Sequence, residues 1–393
     1  MRPGPLDLVV VGLGAAGAAT LFQAAAGGAR VLGLDRHHPP HDQGSSHGET
    51  RITRQAIGEG LDYVPLALRA HELWREIEAQ SGETLMRQVG ALLVSARALG
   101  AVHHGKPDFL EQTLAAARAF AIPHEVLSPA EVRARYPRLR LADHEVAYFE
   151  PGAGLLYPER CIAAQLDLAR RRGAEVRTGE AVLAIEPLAG GVRIVTAQAT
   201  YEAARAVVAA GAWAAGLLGS PYAGALQLHR QAQHWFEPAD PAAFAPERFP
   251  VFIWMHGPGE GEWFYGFPRD PVLGGVKIAS EQFAAVTPDP DSLDRGVSEA
   301  EALGVHARHV TGRIDGLPPA WLRSAACVYT TAPGSRFIIG PDPNRERVIV
   351  VSACSGHSFK HSAAIGEAVA ALALTGEAPA LLTPFSPDRL YAG

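Results

Sequence analysis

Cysteine is scarce. Three cysteines in 393 residues cannot build a disulfide framework, which points to a reducing compartment, the cytoplasm. Basic charge is in deficit, with 35 Lys and Arg against 41 Asp and Glu and a formal net charge of −6. No basic excess is present to neutralise phosphates, so nucleic acid is not an expected partner. Charged residues amount to only 19% against 48% hydrophobic, the reverse of what keeps a chain disordered. No internal repeat stands out, which excludes solenoids and arrays. The 41 glycines and 30 prolines are dispersed rather than periodic and read as turns. One uncharged run, Leu8 to Ala29, has the length of a membrane span. Glycines 12, 14, 17, 27 and 28 interrupt it, it changes at Gly12 from valines to alanines, and it has neither a basic n-region nor a cleavage site. No membrane is expected.

What is present begins with that same run. A single core rarely grows past about 250–300 residues, so this length reads as two joined domains. Leu8 to Val11 is a valine-rich buried strand, Gly12-Leu13-Gly14-Ala15-Ala16-Gly17 follows, and Ala15 to Ala26 is a helix closed by Gly27-Gly28. Arg30 to Leu34 is a second strand ending in Asp35. Each part has a task in dinucleotide binding. Gly12 permits the tight turn, Gly14 lets the backbone approach a pyrophosphate, Gly17 lets helix and strand pack closely, and Asp35 is placed for ribose hydroxyls.

A long polar connection follows and ends in Arg51 and Arg54; two arginines alone would read as a solvated surface. A helix is predicted after Pro65, with Leu66, Ala70, Leu73 and Ile77 on one face. Val89 to Val94 reads as a strand, 109–120 as a helix, and Ser128-Pro129-Ala130-Glu131 as a capping box opening another. Pro158 opens a further helix, and strands are predicted near 174–178, 181–187 and 192–197. Arg205 to Trp213 repeats the strand-into-glycine pattern of the N-terminus and suggests a return to the nucleotide-binding domain. Between Leu226 and Ser280 the pattern is strand-like and aromatic, suited to an antiparallel sheet carrying a pocket. Strands at 327–331, 337–339 and 348–352 and an alanine-rich helix over 361–375 complete the chain.

Several stretches taken together carry a resemblance: the glycine motif at 12–17, Pro39-Pro40-His41, His47-Gly48-Glu49-Thr50-Arg51-Ile52-Thr53-Arg54, Gly58-Glu59-Gly60 with Tyr63-Val64-Pro65-Leu66, Tyr265-Gly266-Phe267-Pro268, Lys277, Ala326-Cys327-Val328-Tyr329-Thr330 and Ser355-Gly356-His357-Ser358-Phe359-Lys360. Over essentially its whole length the chain resembles the monomeric sarcosine oxidase and N-methyltryptophan oxidase family of flavoproteins. The resemblance implies an α/β fold, with a Rossmann-type FAD-binding domain and an antiparallel-sheet substrate domain. It implies a discontinuous FAD-binding domain (1–82, 151–220 and 325–393) and a substrate-binding domain (83–150 and 221–324). It implies FAD bonded covalently through Cys327, Lys277 beside the flavin where oxygen is activated, and Arg54 with Lys360 holding a substrate carboxylate. Arg51 falls near the flavin ring, Tyr265 and Tyr329 in or near the substrate cavity, and His47, Thr50, Gly356 and His357 among the cofactor-binding positions. The implied reactants are a small secondary amino acid and O2, and a monomer is expected.

The chemistry agrees with these roles. A cation pair suits a small carboxylate, and bond formation at Cys327 calls for a depressed thiol pKa, which a cationic site can supply. The helix beginning near His361 would present its N-terminus to the negative charge of reduced flavin. Two positions depart from the family pattern. Ser358 replaces a glycine, and Glu281 stands where sarcosine oxidases carry a histidine. A carboxylate at 281 could repel an acidic substrate, bind a second amine, or turn outward. The substrate therefore stays open between sarcosine and another secondary amine, such as pipecolate, N-methyltryptophan or a sugar-amine adduct. An amine dehydrogenase is opposed by Lys277. A non-catalytic nucleotide-binding module leaves Arg54, Lys277, Cys327 and Lys360 unexplained together.

Overall fold

A computed structural model describes residues 6–96, 100–101, 103–259 and 261–391. The N-terminal run divides where its composition changes: β1 (Leu6–Val11), the glycine turn, α1 (Ala15–Ala26), then β2 (Val31–Asp35). β1 lies parallel to β2 on one side and to strand Thr200–Val208 on the other. All five residues of β2 are buried, which is why the run reads as continuous apolar sequence rather than as an alternation. Strands Glu175–Thr178 and Arg345–Ser352 extend the parallel layer. Antiparallel strands Val182–Leu188, Gly191–Thr196 and Ile338–Asp342 complete eight strands. The α/β class predicted from the sequence is the one observed. Among the described residues no single helix is long and apolar enough to cross a membrane.

A second eight-stranded sheet carries the aromatic stretch. Its order runs Trp321–Thr331, Gln227–Phe236, Val276–Ala279, Trp263–Gly266, Val251–Met255, Ala91–Ala96, Glu145–Glu150 and Glu125–Leu127. It is antiparallel except at its centre, where Val251–Met255 runs parallel to Ala91–Ala96. A short pairing absent from the sequence reading joins the two arginines to this architecture. β3 (Arg51–Thr53) pairs with Gly154–Leu156, which also pairs with Met86–Gln88. Arg51 thus lies on a strand and Arg54 just beyond it. The helix predicted after Pro65 is α2 (Val64–Ser81), with Leu66, Ala70, Leu73 and Ile77 all buried. The capping box at Ser128 forms in both directions with Glu131. The expected division at 324/325 falls inside strand Trp321–Thr331.

The sheet that contains β1 is covered by closely packed helices. α1 lies against the C-terminal helix Ser362–Thr375. A Cβ at Gly366 would stand 2.3 Å from Ala19 Cβ and 2.5 Å from the Ala19 carbonyl carbon. The helices cannot sit this close with a side chain there. Gly366→Val should push α1 away from the sheet and cost about 1–3 kcal/mol, seen as a fall in Tm of several degrees by calorimetry. An unchanged Tm would mean that the contact is not tight.

Candidate active site

A cavity of about 420 Å³ runs from the glycine turn to the strand ends of the second sheet. Gly12 opens it with a φ of +87°, and a Cβ there would lie 2.6 Å from the Ala209 carbonyl oxygen. A Cβ at Gly17 would overlap the Gly12 carbonyl oxygen at 1.8 Å. Gly14 is the N-cap of α1 and has no side chain to cap the helix; the Ala15 N–H donates to Ser46 Oγ at 3.4 Å, and Gly14, Ala15 and Ala16 line the cavity. The first N–H groups of the helix therefore face the cavity, the arrangement that favours a phosphate. Asp35 is buried and braced: Oδ2 accepts from Leu13 N–H at 2.7 Å and Oδ1 from His37 N–H at 2.7 Å. Each oxygen keeps a further lone pair for a hydroxyl.

Arg51, Tyr329, Gly356 and Phe359 line both this cavity and a smaller one of about 70 Å³. They mark the junction of the two. Beside it lies a buried cluster built largely on backbone carbonyls. Lys277 donates to Gly48 O at 2.9 Å, Thr50 O at 2.6 Å and Gln233 Oε1 at 3.3 Å. Three acceptors match the three donors of an ammonium. Burial, reinforced by neighbouring Arg51, nevertheless pushes its pKa well below that of an ordinary lysine, so the proton is held less firmly than on the surface. Arg51 donates to Ser45 O at 3.0 Å, Thr50 O at 2.9 Å, Gln233 Oε1 at 3.3 Å and His47 O. His47 and Thr50 thus contribute carbonyls to this cluster. The buried His47 ring has its pKa lowered to about 4 by burial and by Arg51.

Cys327 is buried, with Gln233 Nε2 3.6 Å from its sulfur. A depressed thiol pKa is the expectation from sequence. In the structure burial outweighs the pull of Arg51 and Lys277, and the thiol pKa is raised. The cations are present, as expected, but they do not overcome desolvation.

The smaller cavity brings together Arg54, Glu59, His104, Tyr265, Glu281, Tyr329, His357 and Lys360. Arg54 Nη2 donates to Glu59 Oε2 at 2.7 Å. His104 bridges two carboxylates, with Nδ1 3.4 Å from Glu59 Oε1 and Nε2 2.9 Å from Glu281 Oε2. Tyr329 OH donates to Glu281 Oε1 at 3.0 Å, and Lys360 Nζ donates to His357 O at 2.6 Å. Burial alone would raise the Glu59 pKa, but Arg54, Lys360 and His104 hold it well below the usual carboxylate range. Burial likewise opposes a charged His104, yet Glu281 and Glu59 prevail and raise its pKa to about 9. Burial and Arg54 lower Lys360 to about 8 against the pull of Glu59. The wall is therefore a run of alternating charge, Arg54–Glu59–His104–Glu281, ending on a phenol.

Arg54 and Lys360 meet at one cavity, and Glu281 turns inward. Lys277, Cys327, His47 and Thr50 stand behind the cavity walls rather than on them. Sequence does not single out His104 or Gln233. His104 lies in an irregular stretch with no periodicity, and Gln233 reads as one polar residue of an alternating strand.

A model of the family described as FAD dependent oxidoreductase matches residues 7–372. The chain is 40% identical to a monomeric sarcosine oxidase of Streptomyces avermitilis, over 98% of each chain. It is 34% identical to an N-methyl-L-tryptophan oxidase of Salmonella heidelberg, again over 98% of each. Among solved structures, NikD, described as an unusual amino acid oxidase essential for nikkomycin biosynthesis, superposes with a TM-score of 0.83 at 24% identity, over 98% of this chain and 97% of that one.

The bridging imidazolium has a pH signature. Its folded pKa of about 9 exceeds the roughly 6.5 of an unfolded chain. The stabilisation it contributes is complete below about pH 6.5 and is lost as pH rises through about 9. Wild type should lose stability relative to His104→Asn over that window, by on the order of a few kcal/mol. Urea midpoints for both proteins across the window check this, and parallel pH profiles would contradict it.

Proposed function

The chain belongs to the FAD dependent oxidoreductase family, and from that premise we propose that it is an oxidase of secondary amino acids, with sarcosine as its substrate. The overall reaction is sarcosine, O2 and H2O to glycine, formaldehyde and H2O2. The observation that carries this reading is the convergence of Arg54 and Lys360, from opposite ends of the chain, on one small buried cavity. Two cations at one site suit a substrate carboxylate. At about 70 Å³ the cavity has room for roughly five to seven water-sized positions. A molecule the size of sarcosine suits it, whereas an indole needs the walls to move.

The residues present fit FAD. The start of α1, which lines the cavity, suits the pyrophosphate and Asp35 the ribose hydroxyls. FAD, when bound, supplies the two-electron acceptor for amine oxidation. The protein's own residues do the rest. Arg54 and Lys360 hold the carboxylate, while Tyr265 and Tyr329 wall the amine end of the pocket. Arg51 and Lys277 place positive charge beside the junction, where it would stabilise anionic species formed from O2; this favours an oxidase over a dehydrogenase. Gly356 and His357 shape the turn leading to Lys360, and the segments 1–82, 151–220 and the part of 325–393 beyond strand Trp321–Thr331 form the FAD-binding unit, with 83–150, 221–324 and the rest of that strand as the substrate-binding unit. Cys327 is the covalent attachment point, with Arg51 and Lys277 nearby to favour its thiolate against burial. We place the enzyme in the cytoplasm as a monomer, since one chain completes both cavities.

A panel of sarcosine, pipecolate and N-methyltryptophan with peroxide detection tests the reading. Sarcosine should give the highest kcat/KM, and the absence of peroxide from all three would overturn it. On acid precipitation the yellow colour should stay with wild-type protein and pass to the supernatant for Cys327→Ala. Colour released from wild type would contradict covalent attachment.

A further inference from the structure

Glu281 is 8% exposed and follows strand Val276–Ala279, so its side chain turns into the pocket. Both carboxylate oxygens are engaged, Oε2 by His104 and Oε1 by Tyr329. Each keeps a lone pair for another donor. A Cβ on Gly356 would stand 3.4 Å from Oε1. Gly356 and Tyr329 line both cavities, whereas Arg54 and Glu59 line only the smaller one. Glu281 also lines only the smaller cavity, but its contacts with Tyr329 and Gly356 set its carboxylate next to the junction, whereas Arg54 is bonded to Glu59 and the Ala56 carbonyl instead. The junction thus has the Glu281 anion next to it as well as the Arg51 cation that lines both cavities, and Arg54 lies beyond.

We propose that Glu281 receives the substrate's amine nitrogen and makes the pocket selective for amino acids in the zwitterionic form, with N–H donated to Glu281 and the carboxylate on Arg54 and Lys360. This rests on the oxidase reading above. His104 acts as a positioning residue. Its imidazolium ties Glu281 to Glu59 and keeps the carboxylate facing inward. The site at the junction argues for the α-amine rather than for a second, distal amine, which would extend away from the reacting end. An extra buried carboxylate costs binding for any ligand that brings only a negative charge. It contributes a charge-assisted hydrogen bond to one that also brings an N–H cation.

The test compares sarcosine with methoxyacetate, which keeps the carboxylate and replaces the amine by an ether oxygen. FAD-loaded wild type, Glu281→Gln and Glu281→Asp are mixed with each without oxygen, and binding is read from the change in flavin absorbance, for sarcosine in the first phase after rapid mixing, before the flavin is reduced. For Glu281→Gln, sarcosine should weaken about 10- to 100-fold, the scale of one charge-assisted hydrogen bond, while methoxyacetate binds as well as before or better. Glu281→Asp keeps the charge and should retain most of the preference. His104→Asn should shift the sarcosine-to-methoxyacetate ratio the same way by a smaller factor. Ratios that stay within about threefold of wild type for Glu281→Gln and Glu281→Asp alike would overturn the assignment. So would a Glu281→Gln defect confined to amino acids bearing a second amine. If wild type oxidises no amine yet the binding ratio shifts as stated, the oxidase reading fails and the Glu281 assignment stands. Peroxide production with an unmoved ratio overturns the Glu281 assignment and leaves the oxidase reading standing.

Discussion

Glu59 is a buried carboxylate that Arg54, Lys360 and His104 together keep ionised, and the geometry of the small cavity depends on it. Taking a carboxylate out of water is expensive, and removing one partner from such a pair typically costs about 3–5 kcal/mol. Arg54 at 2.7 Å and His104 at 3.4 Å therefore stay where Glu59 holds them, and Lys360, bonded to the His357 carbonyl, feels the same charge. Arg54 follows β3, His104 lies in the irregular stretch before the helix Phe109–Ala119, and Lys360 precedes the C-terminal helix. The ion cluster serves as a scaffold at a point where neither sheet supplies regular backbone. It also leaves the cavity net cationic at the Arg54 end, which suits a carboxylate ligand.

A second cluster serves the junction by different means. Arg51 and Lys277 are tied mostly to the carbonyls of Ser45, His47, Gly48 and Thr50. The long polar loop after β2 has few strand partners of its own, and its carbonyls turn inward onto these two cations. That explains how a connection of such length holds one conformation, and why His47 and Thr50 act through the backbone. Gln233 completes the cluster, touching Arg51, Lys277 and Cys327 at once.

Much of the fold is readable in the sequence because its signals are local. The glycine turn at 12–17, the buried valines of β1, the capping box at Ser128 and the proline at the start of α2 each report their own few residues. The strand Arg51–Thr53 is not readable, because its pairing with Gly154–Leu156 is long-range and a run of three residues has no period. Parts of the site follow the same division. Arg54, Lys277, Cys327 and Lys360 emerge from motif resemblance. His104 has no motif, and its importance comes only from the two carboxylates that tertiary packing brings to its ring. Glu281 could be flagged as a departure, but whether it faces in or out depends on His104. The thiol of Cys327 shows the limit of charge counting, since the nearby cations are readable in sequence and the desolvation that outweighs them is not.

Arg54 and Lys360 line one cavity with Glu59, and we propose that both act on one ligand carboxylate. A double-mutant cycle tests it most directly, with the dissociation constant of a simple carboxylate ligand measured on FAD-loaded wild type, Arg54→Met, Lys360→Met and the double variant. The account predicts a loss of about 2–4 kcal/mol for each single change. It also predicts a coupling of at least about 1 kcal/mol between them, because each cation is felt by the same carboxylate and by Glu59. Losses that add to within about 0.5 kcal/mol, or a single variant that binds the carboxylate as tightly as wild type, would contradict it.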